Sequence, residues 1–177
     1  MNLTDYLPRL NLKTTEFLKK IITPESLVFE TGSGNSTIWF GKQVKRVVAL
    51  EDNKNWYNKV REFAKQENLQ NIKLYFDPDY SRKQFKDILQ NEDIIEYNIV
   101  LHDGPHSVDL RIAAMEFIHS FVKPGGYLII DDMHKGLCSE ATRKYLDILQ
   151  WEKLVFPRGL DPFGRKKKAI VYQRPIK

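Results

Sequence analysis

Short apolar runs alternate along the chain with longer stretches whose apolar residues recur at helical spacing, the pattern of stacked βα units on a mostly parallel sheet. Thr14–Ile22 reads as a leading helix, stopped at Thr23-Pro24. Strand-like runs fall at Leu27–Glu30, Arg46–Leu50, Ile72–Phe76, Tyr97–His102 and Tyr127–Ile130. Helical spacing covers about Ser36–Lys42, Asn55–Asn68, Arg82–Leu89, Val108–Phe121 and Leu137–Leu149. Then the rhythm changes. Trp151–Phe156 is a further strand, which Pro157 is expected to end because proline cannot donate to a ladder. The final run, Ala169–Gln173, follows a loop rich in Gly and Pro with no helix before it, so these two strands should pair antiparallel. No repeat, low-complexity tract or linker interrupts residues 1–177, which read as a single α/β domain of five βα units closed by a hairpin.

Composition narrows the class. Apolar residues make up 42% and aromatics 12% of 177 residues, enough for a substantial core and too many for a disordered tail. Mean hydropathy is −0.47, and no apolar run approaches the roughly 18 residues of a membrane span. The opening MNLTDYLPRL carries an acid and a proline where a signal peptide needs an unbroken apolar stretch. One cysteine, Cys138, rules out a disulfide scaffold and a zinc site of several thiolates, and reads as a buried apolar residue. The expected address is cytoplasmic. Net charge is +5, unevenly placed: Arg143–Lys177 holds ten Lys/Arg against three Asp/Glu.

The acids are placed with more regularity than the bases. In open α/β sheets ligands bind at the carboxyl ends of the strands. Glu30, Glu51-Asp52, Asp77, Asp79, Asp103 and Asp131-Asp132 all fall there, eight of the 23 acids. Asp favours turns and helix caps, which accounts for Asp77 and Asp79. It accounts less well for acids after every parallel strand, because gathered carboxylates repel unless something positive neutralises them. A cationic ligand or a metal is therefore expected. The loop Glu30-Thr31-Gly32-Ser33-Gly34-Asn35-Ser36-Thr37 follows a strand and opens a helix, the context of a nucleotide loop. Gly32 permits the tight turn and Gly34 a close backbone approach. Thr37 stands where a dinucleotide fingerprint has its third glycine, Glu30 would repel a pyrophosphate, and no Gly-Lys-Ser/Thr follows for a P-loop. Glu51, about 20 residues on, is placed for ribose hydroxyls. A ligand with ribose, positive charge and no phosphate fits better than NAD.

Phe29-Glu30-Thr31-Gly32-Ser33-Gly34, Ala49-Leu50-Glu51, Val100-Leu101-His102-Asp103-Gly104 and Lys123–Asp132 together resemble the motifs of class I S-adenosylmethionine-dependent methyltransferases, over nearly the whole chain. The resemblance implies a Rossmann-like doubly wound sheet of order 3-2-1-4-5-7-6 with strand seven antiparallel. It places Glu30, Gly32 and Gly34 around the methionine part of the cofactor, with Ser36 as a third small residue. Glu51 falls on the ribose, Asp77 at the adenine edge, and Asp103 among the cofactor contacts. Asp103-Gly104-Pro105-His106-Ser107 followed by Asp131-Asp132 resembles the small O-methyltransferases with Asp-Gly-x-His after strand four. Some of these hold a divalent ion, so Asp103, Asp131 and Asp132 are candidate ligands for Mg²⁺, a hard ion preferring oxygen. It would orient and acidify a substrate hydroxyl. On the plainer reading, Asp131 or Asp132 caps the next helix.

Asp103, His106 and His134 are the catalytic candidates, both histidines following strands whose ends should meet the methyl and having a suitable unperturbed pKa for a general base. His102 should face away and be structural, His119 should lie on the surface, and Lys135 either positions an anionic acceptor or is solvated. Trp39 reads as packing or as a cover for the glycine loop. Trp56 and Tyr57 read as helix packing or as stacking partners for adenine. Arg165-Lys166-Lys167-Lys168, with Arg158 nearby, reads as a solvated hairpin tip or as an attractor of an anionic acceptor. Selection of the acceptor falls to the helical segment 1–26, the loops after strands four and five, and Pro157–Lys166. The expectation is O-methylation of a small-molecule hydroxyl. An RNA (tRNA or rRNA) methyltransferase is the rival in the same fold, opposed by the lack of an Asn/Asp-Pro-Pro-aromatic signature or a Pro-Cys pair. A non-catalytic nucleoside- or protein-binding module is opposed by the intact set Glu30, Gly32, Gly34, Glu51 and Asp103. A nicotinamide oxidoreductase is opposed by Thr37 and Glu30.

Overall fold

The structure, a computed structural model, describes residues 7–105, 107–132, 146–147 and 149–176. In chain order the elements are α1 (Leu12–Ile21), β1 (Leu27–Thr31), α2 (Asn35–Gly41), β2 (Arg46–Glu51), α3 (Lys54–Gln66), β3 (Ile72–Phe76), α4 (Arg82–Glu92), β4 (Tyr97–His102) and α5 (Val108–Ile118). A 3₁₀ turn (His119–Phe121) leads into β5 (Val122–Ile130), and the hairpin is β6 (Glu152–Leu160) and β7 (Lys166–Gln173). Helix starts follow local capping: Asn11, Asn53 and Ser81 each accept a backbone N–H from the first turn of α1, α3 and α4.

One seven-stranded sheet results, of order β3-β2-β1-β4-β5-β7-β6. β1 through β5 are parallel, and β7 runs antiparallel between β5 and β6. Both faces are covered, which is why the parallel strands read as continuous apolar runs. On one face Val28, Val47, Ile99, Leu101, Ile129 and Val171 pack with Leu18 of α1 and with Trp39 and Phe40 of α2. On the other, Phe29, Val48, Leu50, Val100, Leu128 and Ile130 meet Phe85 of α4 and Met115 and Ile118 of α5. Phe29 contacts Phe121 edge-on at 5.0 Å, and Phe85 stacks on Phe117 at 5.3 Å. Among the described residues no helix is long and apolar enough to cross a membrane.

Three strand boundaries differ from the sequence reading by at least three residues. β5 begins at Val122, five residues before the apolar run, because Tyr97 pairs with Val122 ahead of a register shift. β6 does not end at Pro157 but runs to Leu160. It is the sheet's edge and pairs only with β7, and its register slips between Phe156 and Gly159, so Pro157 sits where no ladder donor is needed. β7 begins at Lys166, not Ala169. Three lysines expected at a hairpin tip therefore lie within a strand, and alternate residues of a strand point to opposite faces. The helix expected at Leu137–Leu149 lies almost wholly outside the described residues, as do His106, His134, Lys135 and Cys138.

Candidate functional site

At the carboxyl edge of the sheet a cleft of about 730 Å³ opens between the ends of β1, β2, β4 and β5, with Arg9 and the start of β7 across it. Gly32, Ser33, Glu51, Asp52 and Trp56 line one half; Asp103, Gly104, Asp132 and Lys167 line the other.

The first half is the glycine loop and its supports. Gly32 has φ +82°, and its Cα side lies so close to the β4 loop that a Cβ would come within 2.9 Å of the Gly104 nitrogen. A Cβ on Gly104 would in turn lie 2.9 Å from the Gly32 Cα. Only glycine fits this crossing. The Gly32 N–H donates to the Leu50 carbonyl at 2.8 Å and to the Tyr80 hydroxyl at 2.9 Å, and Tyr80 donates in turn to Leu50 O at 2.8 Å. Glu51 holds the next residue: one carboxylate oxygen accepts the Ser33 N–H at 2.7 Å and the Ser33 hydroxyl at 2.8 Å. The other accepts the Asn53 N–H at 2.9 Å. Trp56 closes the wall, its indole N–H donating to Ser33 O. Burial pushes the Glu51 carboxyl up, and the hydrogen bonds from Asn53 and Ser33 work against that.

Glu30 lies beneath this loop and does not line the cleft. It is 1% exposed, and neither carboxylate oxygen has a hydrogen-bond partner among the described residues. Burial pushes its pKa up to about 8; the Thr37 and Ser36 hydroxyls oppose the rise, and Asp103 and Glu51 add to it. Ser36 is also buried, at the start of α2. Asp77 is turned inward: its carboxylate accepts the Asp79 N–H at 2.9 Å, the Ser81 N–H at 2.8 Å and the Ser81 hydroxyl at 2.6 Å. Burial would raise it, but these three donors hold it below the usual carboxylate value. Its carboxylate shapes the turn before α4.

The second half brings Asp103, Asp131 and Asp132 together, with one carboxylate oxygen from each lying within 4.8 Å of the others. Asp131 is fully buried and Asp132 takes a left-handed φ of 57°. Arg111, in α5, ties the two strand ends: its guanidinium donates to the carbonyls of His102 at 2.9 Å, Asp103 at 3.2 Å and Asp131 at 2.6 Å. His102 itself is fully buried between Thr31 and the Arg111 carbonyl, and burial with Arg111 drives its pKa well below the ordinary value, so it is a neutral structural ring. His119 contacts the Met115 carbonyl at 3.0 Å, far along α5.

A metal or a cationic ligand was expected to neutralise these acids, and the structure places a cation of the chain itself among them: Lys167 reaches in from β7. Its ammonium lies 2.7 Å from Asp131 and 2.9 Å from Asp132, with 12% of the side chain exposed. Burial alone would lower its pKa, but Asp103, Asp131 and Asp132 outweigh it and raise the ammonium above its ordinary value. The three carboxylates would suit Mg²⁺ by donor type, but a fixed ammonium already stands among them, and the set does not fit a dication as it is. Asp131 Oδ1 has no hydrogen-bond partner among the described residues, and burial and Asp103 raise the Asp131 pKa against the pull of Lys167.

Sequence reasoning missed Tyr80, Arg111 and Arg9, and read Lys167 only within the run Arg165–Lys168, as a solvated hairpin tip or an attractor of an anionic acceptor. Arg111 had a signal, the lone cation of α5. Tyr80 had none beyond its place after strand three, and Lys167 was hidden in a run of four bases.

Residues 29–133 match a family described as a methyltransferase domain. No curated protein matches the chain. Among solved structures, an rRNA methylase from Streptococcus thermophilus superposes with a TM-score of 0.70 at 17% identity, over 92% of this chain and 95% of that one. An O-methyltransferase from Bacillus cereus in complex with SAH gives 0.71 at 16% identity, over 97% and 86%. A precorrin-6y C5,15-methyltransferase from Geobacter metallireducens gives 0.66 at 13%, over 90% and 86%. At such identities the likeness is one of fold.

Proposed function

The chain belongs to the methyltransferase-domain family, and from that premise we propose that it transfers the methyl group of S-adenosylmethionine to the hydroxyl of a small molecule. The observation that carries this reading is the cleft itself: a glycine loop buttressed by Glu51 faces an acid–lysine cluster across one small cavity. The loop fits the cofactor on two counts. The Gly32–Gly104 crossing packs two backbones too closely for any Cβ, which fixes the glycine loop at the wall of the cleft, and Glu30 beneath it is a buried acid whose two oxygens have no hydrogen-bond partner among the described residues. When bound, S-adenosylmethionine supplies a methyl carbon already activated by a sulfonium. The acceptor oxygen attacks that carbon in line, the carbon–sulfur bond breaks as the carbon–oxygen bond forms, and S-adenosylhomocysteine leaves. The proton of the hydroxyl passes to a base on the acceptor side.

The protein's own part is alignment and charge. Glu51 retains acceptor capacity toward ribose hydroxyls while holding Ser33. Asp103, at the end of β4 and lining the cleft, stands where the two halves meet and is the described residue best placed to take or steer the proton. His106 and His134 remain expected bases from the sequence alone. The acceptor is proposed to be anionic. Arg9, Arg165 and Lys166 line the cleft, and Arg9 is depressed first by its own burial and next by Arg165, cations set side by side. A cavity of this size suits a small molecule better than a nucleic acid strand, although the exposed Arg165 and Lys166 keep an RNA acceptor as the second reading.

Titration calorimetry with S-adenosylhomocysteine and with NAD is the first test, with binding expected for the former alone. Incubation with a labelled methyl donor and either a metabolite extract or a tRNA pool follows, with label expected in a small product. No binding of S-adenosylhomocysteine would end the reading.

A further inference from the structure

Three carboxylates converging at the mouth of a cleft normally need a multivalent counter-ion, because buried like charges are costly until neutralised. Here β7 carries the counter-charge in covalently. Antiparallel pairing with β5 matches Ile130 with Ile170, which brings Lys167 level with the loop of Asp131 and Asp132 that follows β5. The Asn11 side chain donates to the Lys167 carbonyl at 3.2 Å and to Pro157 O at 2.8 Å, which fixes the backbone from which the side chain projects. An ammonium has three N–H donors. Asp131 and Asp132 take two of them, and Lys167 lines the cleft.

We propose that Lys167 is the resident cation of the acceptor site: its ammonium takes the place a divalent metal would hold among Asp103, Asp131 and Asp132, and its remaining N–H grips the acceptor oxygen. The clause about the acceptor rests on the methyltransferase reading; the clause about the cation does not. Two consequences follow from chemistry. A dication entering the cluster would sit within a few ångströms of a fixed positive charge, so divalent ions are kept out. An octahedral ion held by three carboxylates keeps about three open positions and so selects acceptors that chelate through two oxygens. A single N–H asks for one oxygen only, so acceptors without a vicinal diol are accommodated.

The test is Mn²⁺ titration followed by electron paramagnetic resonance on the wild type, Lys167→Met and Lys167→Arg, with S-adenosylhomocysteine affinity measured on the same samples. The wild type and Lys167→Arg should bind no Mn²⁺ at the cluster, whereas Lys167→Met should bind it at least about tenfold more tightly than the wild type. A lysine that merely supports the fold would not create a metal site on leaving. Thorough chelation should leave methyl transfer by the wild type unchanged. Equal Mn²⁺ affinity in the wild type and Lys167→Met, whether strong or absent in both, overturns the proposal. Loss of activity on chelation also overturns it. If Lys167→Met does not fold, Lys167→Gln, which keeps N–H donors for Asp131 and Asp132 without the charge, is read in the same way. Failure of the wild type to bind S-adenosylhomocysteine strikes the methyltransferase reading instead and leaves the Mn²⁺ result standing.

Discussion

The two halves of the cleft each bury an acid, and they neutralise it in opposite ways. Glu30, under the glycine loop, has no hydrogen-bond partner among the described residues and keeps its proton toward neutral pH. Asp131, across the cleft, is paired with Lys167 at 2.7 Å. One half keeps its acid protonated and the other sets a lysine beside it. The halves also differ in how the chain makes them. Ser33, Glu51 and Trp56 are linked across 18 to 23 residues of sequence, within the consecutive elements β1 to α3. The Asn11–Lys167 bond spans 156 residues and requires both chain ends to dock on the finished sheet. The donor half is local and the acceptor half is a product of closure.

The largest effect should come from Gly32→Ala. It forces a side chain into a left-handed φ and against the Gly104 backbone, for a combined cost of about 2–5 kcal/mol. Calorimetry should show S-adenosylhomocysteine binding lost and thermal melts a lower midpoint, while Asp131–Lys167 pairing is untouched. Asp103→Asn should do the converse. Turnover should fall on the order of a hundredfold, while S-adenosylhomocysteine affinity moves much less. Equal losses of binding and turnover would show that Asp103 serves the cofactor alone.

This division also explains what was legible in the sequence. The strands were readable because their apolar runs stand apart from their surroundings and lead into Gly32, Glu51, Asp103 and Asp131, whereas their order in the sheet came from the resemblance to class I methyltransferases. Glu51 was readable because its spacing from the glycine loop is a property of one βαβ unit. Glu30 was placed in the ligand's company but sits below the loop, since a strand's last residues alternate between faces and spacing does not reveal which one meets solvent. Lys167 was not readable. Its strand was thought to start at Ala169, and one residue of register decides whether a lysine in that run points to water or to Asp131. Pro157 misled in a related way, because its meaning depends on whether the strand is an edge.

Next in size is a pH effect that isolates Glu30. Folded Glu30 keeps its proton up to about 8, whereas the free side chain loses it near 4.5. Between those values the folded state binds more protons than the unfolded state. The stabilising contribution is therefore whole below the lower value and declines as pH rises toward the upper one. The most this shift could contribute is about 5 kcal/mol. Glu30→Gln should flatten the fall in denaturation midpoint between pH 5 and 8 and gain stability relative to the wild type at the alkaline end. Burial and Asp103 raise Asp131 as well, against Lys167, so a residual slope in Glu30→Gln belongs to the acceptor half. Binding of a sulfonium above Glu30 should favour its ionised form and release a proton, visible as buffer-dependent enthalpies for S-adenosylmethionine near neutral pH. Buffer-independent enthalpies would separate Glu30 from the ligand.

The smallest pair of changes asks whether the halves are independent. Tyr80→Phe removes one hydroxyl that braces Gly32 but leaves the Gly32 N–H its bond to Leu50 O, so the cost should be about 1 kcal/mol. Asn11→Ala removes donors to two carbonyls, Pro157 and Lys167, at a cost of about 1–3 kcal/mol because both acceptors are left in a partly buried place. Tyr80→Phe should weaken S-adenosylhomocysteine by several-fold and leave KM for the acceptor alone. Asn11→Ala should raise that KM and leave the cofactor affinity alone, because the strand it anchors carries Lys167 and no part of the glycine loop. In the double variant the stability losses should add, since the two sites share no partner. A measurable coupling energy would mean that the Gly32–Gly104 crossing transmits between the halves, and the division drawn here would give way to a single cooperative site.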